Sequence, residues 1–144
     1  MVNSDTIKLL KECDAGSKMA VTSIDDVMEK IRDSSMKSLL QESKDHHAKL
    51  GNEIHSLLNQ YGKSEKDPNP MAKGMSWMKT NMKMTMDDSD ATVADLITDG
   101  CNMGIKSLYR YVNQYKAADD TSKDICNRLI SIEQELRKGL RDYL

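Results

Sequence analysis

The sequence predicts an all-α protein, one domain folded as a four-helix bundle. Three observations carry that prediction. Four long segments place apolar residues at alternating steps of four and three, the spacing that lines one helical face. Clusters rich in Asp, Ser, Gly and Pro separate those segments. One seam, Met36, Leu40, Ser43, His47, Leu50, Ile54, Leu57 and Tyr61, carries two polar residues at its middle. Inward polar side chains at mid-helix are how bundles build cofactor sites where facing helices converge.

The first helix is expected from about Asp5 to Arg32, capped by Asn3 or Ser4, with Leu10, Cys13, Ser17, Ala20, Ile24, Val27 and Ile31 in its seam. Asp33-Ser34-Ser35 breaks it and caps the second helix, which stops where Gly62 can take the left-handed conformation. So short a connection makes the two helices antiparallel neighbours. Lys63 to Pro70 reads as a linker, because Asp67-Pro68-Asn69-Pro70 disfavours helix. Met71 to about Met84 reads as a shorter, Met-rich helix with Met71, Met75, Met78 and Met82 on one stripe and Trp77 beside it; Lys73, Lys79 and Lys83 make it basic. Asp87 to Asp90 caps a third long helix, about Ala91 to Lys116, with Ile97, Cys101, Gly104, Leu108, Tyr111 and Tyr115 in its seam. Asp119-Asp120-Thr121 caps the fourth, which is expected to reach the C-terminus through Ile125, Leu129, Ile132, Leu136 and Leu140.

Topology turns on the connection between the second and third long helices. From Gly62 to Asp90 it is 29 residues. At about 1.5 Å per helical and 3.3 Å per extended residue it can cross a bundle roughly 40 Å long. An up-down-up-down bundle needs only short loops, so the expectation is the up-down-down-up, ferritin-like arrangement with the Met-rich helix as its crossover.

Bulk properties bound the function. A chain of 144 residues suits one domain and buries roughly 70% of its unfolded surface without staples. Its three cysteines make no Cys-x-x-Cys motif, and residues 1–10 have neither a basic flank nor an apolar run; these features read as a reduced, cytoplasmic protein with no signal peptide. The apolar runs, two or three residues long, fall far below the ~20 of a membrane span. Net charge of −2 argues against nucleic-acid binding. Phe is absent and Met numbers 11, so adaptable thioethers fill the core alongside Leu, Ile and Val.

The stretch Leu39 to Leu58, then Tyr61-Gly62, then Lys73-Gly74-Met75-Ser76-Trp77-Met78-Lys79, then Gly100 and Ile105 to Tyr109 resembles a bacterial family of ferritin-like four-helix proteins of unknown function. The Gly, Trp and Lys cluster after a linker is its most specific piece. Members of that family carry acidic residues near the middle of helix three, where this chain has Cys101-Asn102. The resemblance therefore implies an architecture and no established reaction.

A di-iron or di-manganese bundle needs carboxylates on four helices and two Glu-x-x-His pairs. The chain contains no Glu-x-x-His; the nearest pair is Glu42 with His46, spaced i to i+4. Counting outward from the turns puts His47 and Cys101 at one mid-bundle level with Glu133 within a turn of it. Imidazole, thiolate and carboxylate could hold Zn, Fe or Cu. The plainer reading makes His47 a core histidine satisfied by Ser43, and Cys101 a small apolar residue beside Gly100 and Gly104. Two ligands from two helices do not make a site, so the plainer reading is preferred. Cys13, His55 and Cys126 share a second level; a regulatory disulfide between Cys13 and Cys126 competes there with isolated thiols, which are preferred because a shared level does not establish the required Cα separation. The Met-rich helix is read first as core, then as a basic amphipathic surface for a partner or membrane through Met71, Met75, Trp77, Met78 and Met82, and last as a thioether Cu(I) site. No Gly-x-Ser-x-Gly or Gly-rich phosphate loop is present.

The expected function is accordingly non-catalytic. The chain reads as a cytoplasmic binding or assembly module, a homo-oligomer or a partner of another protein, with no cofactor. The alternative is a metal-binding or thiol redox protein using Zn, Fe or Cu at His47 and Cys101, with Ser43, His46, Glu42 and Glu133 as accessory groups.

Overall fold

The structure is a computed structural model that describes residues 2–62 and 87–144; the expected linker and Met-rich helix lie outside the described residues. Those described are all-α: four long helices and a final 3-10 turn, with no strand among them. Helix α1 is Ser4–Met28, α2 Ser34–Gln60, α3 Asp90–Gln114 and α4 Asp120–Gly139. Each begins on a capping side chain in extended backbone that accepts a hydrogen bond from an otherwise unpaired N–H. Asn3 accepts from Thr6, Asp33 from Met36, Ser89 from Thr92 and Asp119 from Ser122. Helix α2 ends at Gly62 with φ of 69°, a conformation in which a Cβ would be strained.

Three helix ends differ from expectation. Helix α1 stops at Met28, four residues early, because the backbone tightens: Lys30 N–H donates to Val27 and Ile31 N–H to Met28. The tight turn keeps Ile31 buried while leaving Asp33 extended for its capping role. Helix α3 stops at Gln114, where Tyr115 folds into a turn closed by the Ala118 N–H. Helix α4 passes into the 3-10 turn Arg141–Tyr143 before the chain end.

Contacts at the two ends fix the directions. At one end, Asp90 at the start of α3 accepts from the backbone N–H groups of Arg32 and Asp33 in the α1–α2 turn, both at 2.9 Å. At the other, the N-terminus of α1 holds the α3–α4 turn. Asp5 accepts from Ala117 N–H, Thr6 Oγ1 accepts from Asp119 N–H at 2.8 Å, and the Asn3 amide donates to the Ala117 carbonyl. Helix α3 therefore runs antiparallel to α1 and parallel to α2, and α4 runs parallel to α1. The chief packing pairs are α1 with α2, α3 with α4, α2 with α4, and α1 with both α3 and α4. Gly62 lies at one end of the four helices and Asp87 at the other.

The buried apolar residues form two clusters instead of one continuous core. The first, at the α1–α2 turn end, contains Ile24, Val27, Met36, Leu40, Val93, Ile97, Cys101, Leu136 and Leu140. The second, at the α3–α4 turn end, contains Leu10, Cys13, Leu50, Ile54, Leu58, Leu108, Ile125, Cys126 and Leu129. Between them, on consecutive turns of their helices, sit buried polar groups: Asp14 and Ser17 on α1, Ser43 and His47 on α2, Glu133 on α4. The expected seams hold near the helix centres and slip toward one end. Leu58 replaces Leu57 on α2, and Glu133 replaces Ile132 on α4; Ala20 on α1 and Tyr111 and Tyr115 on α3 are only half-buried. A seven-residue seam drifts about 20° per heptad against the 3.6-residue turn of a straight helix, so long stripes lose their phase.

Asp90 links three helices through one carboxylate, and its backbone hydrogen bonds, from Arg32 first, hold that carboxyl below the usual range. The interaction is complete above the ordinary carboxylate pKa and is lost as pH falls through the lowered one. Asp90→Ala is predicted to cost about 1 kcal/mol at pH 7. Urea unfolding from pH 7 to pH 2 should show the gap from wild type closing on the acid side.

Candidate functional site

His47 stands on α2 between Leu40 and Leu50, with its side chain fully buried. A buried imidazole must match both ring nitrogens or lose about 1–3 kcal/mol for each one left bare. Its Nδ1 lies 2.8 Å from the Ser43 carbonyl oxygen, one turn earlier. A carbonyl only accepts, so Nδ1 carries a proton and donates it there; Ser43 Oγ is 3.4 Å away on the same side. Nε2 is then left to face α4, where Glu133 Oε1 lies 3.0 Å away. A proton lies between this nitrogen and this oxygen whichever of the two carries it.

Glu133 gathers the remaining groups. The Cys101 thiol of α3 lies close enough to the Glu133 carboxyl for that group to perturb it. Burial first, then the charge and hydrogen bonding of Glu133, push that thiol far above its usual range; Arg137, which also holds Asn102 Oδ1 at 2.9 Å, pulls slightly the other way. Cys101 is thus held as a neutral thiol, the poorer nucleophile and poorer ligand. Gly104 on α3 presents bare backbone to the same carboxyl: a methyl there would lie 3.7 Å from Glu133 Oε1. One turn after His47, Gly51 lets α1 approach α2, since a methyl at that position would stand 3.0 Å from Ser17 Oγ.

The structure brings together His47, Cys101, Glu133 and Ser43 of the residues singled out in the sequence. Glu42 and His46 are exposed and remain outside this cluster. Met71, Met75, Trp77, Met78 and Met82 lie outside the described residues. Among the described residues no group of three or more His, Cys, Asp or Glu side chains is disposed to hold a metal ion, and no helix is long and apolar enough to cross a membrane. The reason at mid-bundle is geometric: both ring nitrogens of His47 are already engaged, Nδ1 by the Ser43 carbonyl and Nε2 by Glu133. Sequence reasoning missed how central Glu133 is, ranking it as accessory beside an apolar Ile132. The available signal was a carboxylate on the fourth helix at the level of a seam histidine, since an unpaired imidazole inside a bundle requires a partner.

No family model, no curated protein and no solved structure matches the chain.

Removing one member of the pair should be costly and removing both much less so. Glu133→Leu or His47→Leu alone is predicted to lose about 3 kcal/mol by stranding the other group, whereas the double variant recovers most of that loss by packing apolar against apolar. Chemical unfolding of the four proteins in a double-mutant cycle checks this; additive losses would show that the pair is uncoupled.

Proposed function

We propose that this chain is a non-catalytic bundle that works by binding or assembly, and that its mid-bundle polar layer is a structural element instead of a reaction centre. One observation carries the reading: His47, Glu133, Ser43 and Cys101 satisfy one another. Nδ1 is committed to a carbonyl and Nε2 to a carboxylate, while the thiol is protonated beside that same carboxylate. A catalytic or metal-binding arrangement keeps at least one of its groups aimed at an open position. Here both ring nitrogens of His47 are spent within the layer.

The proposed architecture is ferritin-like, supported by the parallel course of α2 and α3 and by the sequence resemblance. The di-iron set of such bundles has no counterpart in this chain, which lacks any Glu-x-x-His. A bundle that keeps the scaffold without that set is suited to presenting a surface. The surface proposed is the Met-rich segment, whose Met71, Met75, Trp77, Met78 and Met82 offer adaptable apolar side chains beside three lysines. The partner is a second copy of the chain or another protein, in the cytoplasm.

A second reading has one observation in its favour: imidazole, carboxylate and thiol from three different helices do converge. In that reading Zn, Fe or Cu displaces the His47–Glu133 proton and is held by His47, Glu133 and Cys101. Elemental analysis of chain purified anaerobically without tag or chelator separates the two. The structural reading predicts well under one transition metal per chain, and an unchanged melting temperature on adding Fe(II), Zn(II) or Cu(I). A stoichiometric metal lost in His47→Leu would overturn it. Sedimentation of the same sample is predicted to give an oligomer, or a monomer that captures a partner through the Met-rich segment; replacing Met75 and Met78 by Lys should abolish either association.

A further inference from the structure

Two of the three cysteines meet in the cluster at the α3–α4 turn end, away from the mid-bundle layer. Cys13 on α1 and Cys126 on α4 are both fully buried there. The helices run parallel and are pinned where Thr6 Oγ1 accepts the Asp119 N–H. Cys13 is seven residues past Thr6 and Cys126 seven past Asp119, so two equal helical turns bring the thiols to one level. Beyond them Gly16 faces Leu129, a methyl on the glycine being 3.9 Å from Leu129 Cδ2, which keeps the helices close past the cysteines. The two thiols lie close enough for each to be the first cause of the other's shift in titration. Cys126 Sγ also donates to the Leu108 carbonyl, 3.6 Å away. Because that carbonyl only accepts, the Cys126 proton points to it, and the sulfur lone pair is free to accept from Cys13.

We propose that Cys13 and Cys126 form a redox-responsive thiol pair, converted by hydrogen peroxide into a disulfide that ties α1 to α4. The pair has the asymmetry this chemistry needs. The neighbouring Cys13 moves the Cys126 thiol below its usual range, whereas Cys126, burial and nearby negative charge move Cys13 above it. Cys126 is the attacking sulfur: it takes one oxygen of the peroxide as the O–O bond breaks, giving a sulfenic acid and one water. Cys13 then attacks the sulfenic sulfur, the S–O bond breaks, and a second water leaves with the remaining thiol proton. Two electrons pass from sulfur to peroxide in all. Cys101 takes no part, since its thiol is committed to Glu133 in the other half of the bundle.

This inference does not depend on whether the mid-bundle layer binds metal, and its test reads different residues. The full chain is treated with hydrogen peroxide, alkylated under denaturing conditions and cleaved with trypsin. The expected product is peptide Glu12–Lys18 joined through sulfur to Asp124–Arg128, with free thiols per denatured chain falling from three to one and returning to three on reduction. Cys101 should be recovered alkylated. In Cys13→Ser, a sulfenic-acid trap should label Cys126. Retention of three thiols, a link through Cys101 or to a second chain, or oxidation of Cys126 to sulfinic acid with Cys13 untouched would overturn the proposal; the wild-type peptide map decides the matter alone if the variant does not fold.

Discussion

The interaction on which the interior depends is the hydrogen bond between the fully buried His47 ring and Glu133 across the α2–α4 interface. An imidazole deep in a bundle has no water to fall back on, so its two nitrogens dictate what surrounds it. One is answered locally by the carbonyl a turn away on its own helix. The other requires an acceptor or donor from a facing helix, and this sets the register of α4 against α2. Glu133 in turn requires company for its second oxygen and for its charge. Cys101 supplies a thiol, Gly104 supplies room, and Arg137 lies close enough to be felt at Cys101. A slip of one residue in α4 would bring Ile132 against the imidazole and leave both polar groups stranded, a far larger penalty than a slip between apolar layers. The layer therefore specifies one alignment of helices whose apolar residues could otherwise repack.

That layer also partitions the molecule. The two apolar clusters are separate packing cells, each closed at its outer end by side chains tying a helix terminus to the opposite turn. Asp90 closes one; Asn3, Asp5 and Thr6 close the other. The same capping logic thus operates twice, within helices and between them. It also places each cysteine in its own chemical setting. Cys101 borders the polar layer and is held protonated. Cys13 and Cys126, seven residues from the Thr6–Asp119 tie on their respective helices, are held against each other in the far cell. Thiol chemistry belongs to this second cell, where a sulfur faces a sulfur, more than to the layer, where a sulfur faces a carboxylate.

Much of this was legible in the sequence because helix signals are local. The caps at Asn3, Asp33 and Asp119 and the stop at Gly62 follow from the conformational needs of those positions alone. The convergence of His47, Cys101 and Glu133 followed from counting turns, which succeeds when loops are short and caps well marked. What counting could not supply was rotation about each helix axis. Periodicity drifted by one position along α2 and α4, so Leu57 and Ile132 were placed inward where Leu58 and Glu133 belong. The rank of Glu133 was missed because an acidic residue beside an isoleucine reads as the solvent side until the histidine opposite is considered. Cys126 is expected beside the α4 seam, whereas its side chain is fully buried; Cys13 and Cys126 are free thiols. Glu42 and His46, spaced i to i+4, both face water and lie outside the mid-bundle cluster.

The central claim is that His47, Ser43, Glu133 and Cys101 are committed to one another, and the ring nitrogens of His47 report on it directly. Long-range proton–nitrogen NMR of the three histidines, with and without Zn(II), is the measurement to make. The account predicts a His47 ring with Nδ1 protonated, both nitrogens hydrogen-bonded and no response to Zn(II), while the exposed His46 ring responds to it. A His47 Nε2 resonance that moves to the metal-bound position at stoichiometric Zn(II), with loss of its coupling to Glu133, would contradict it.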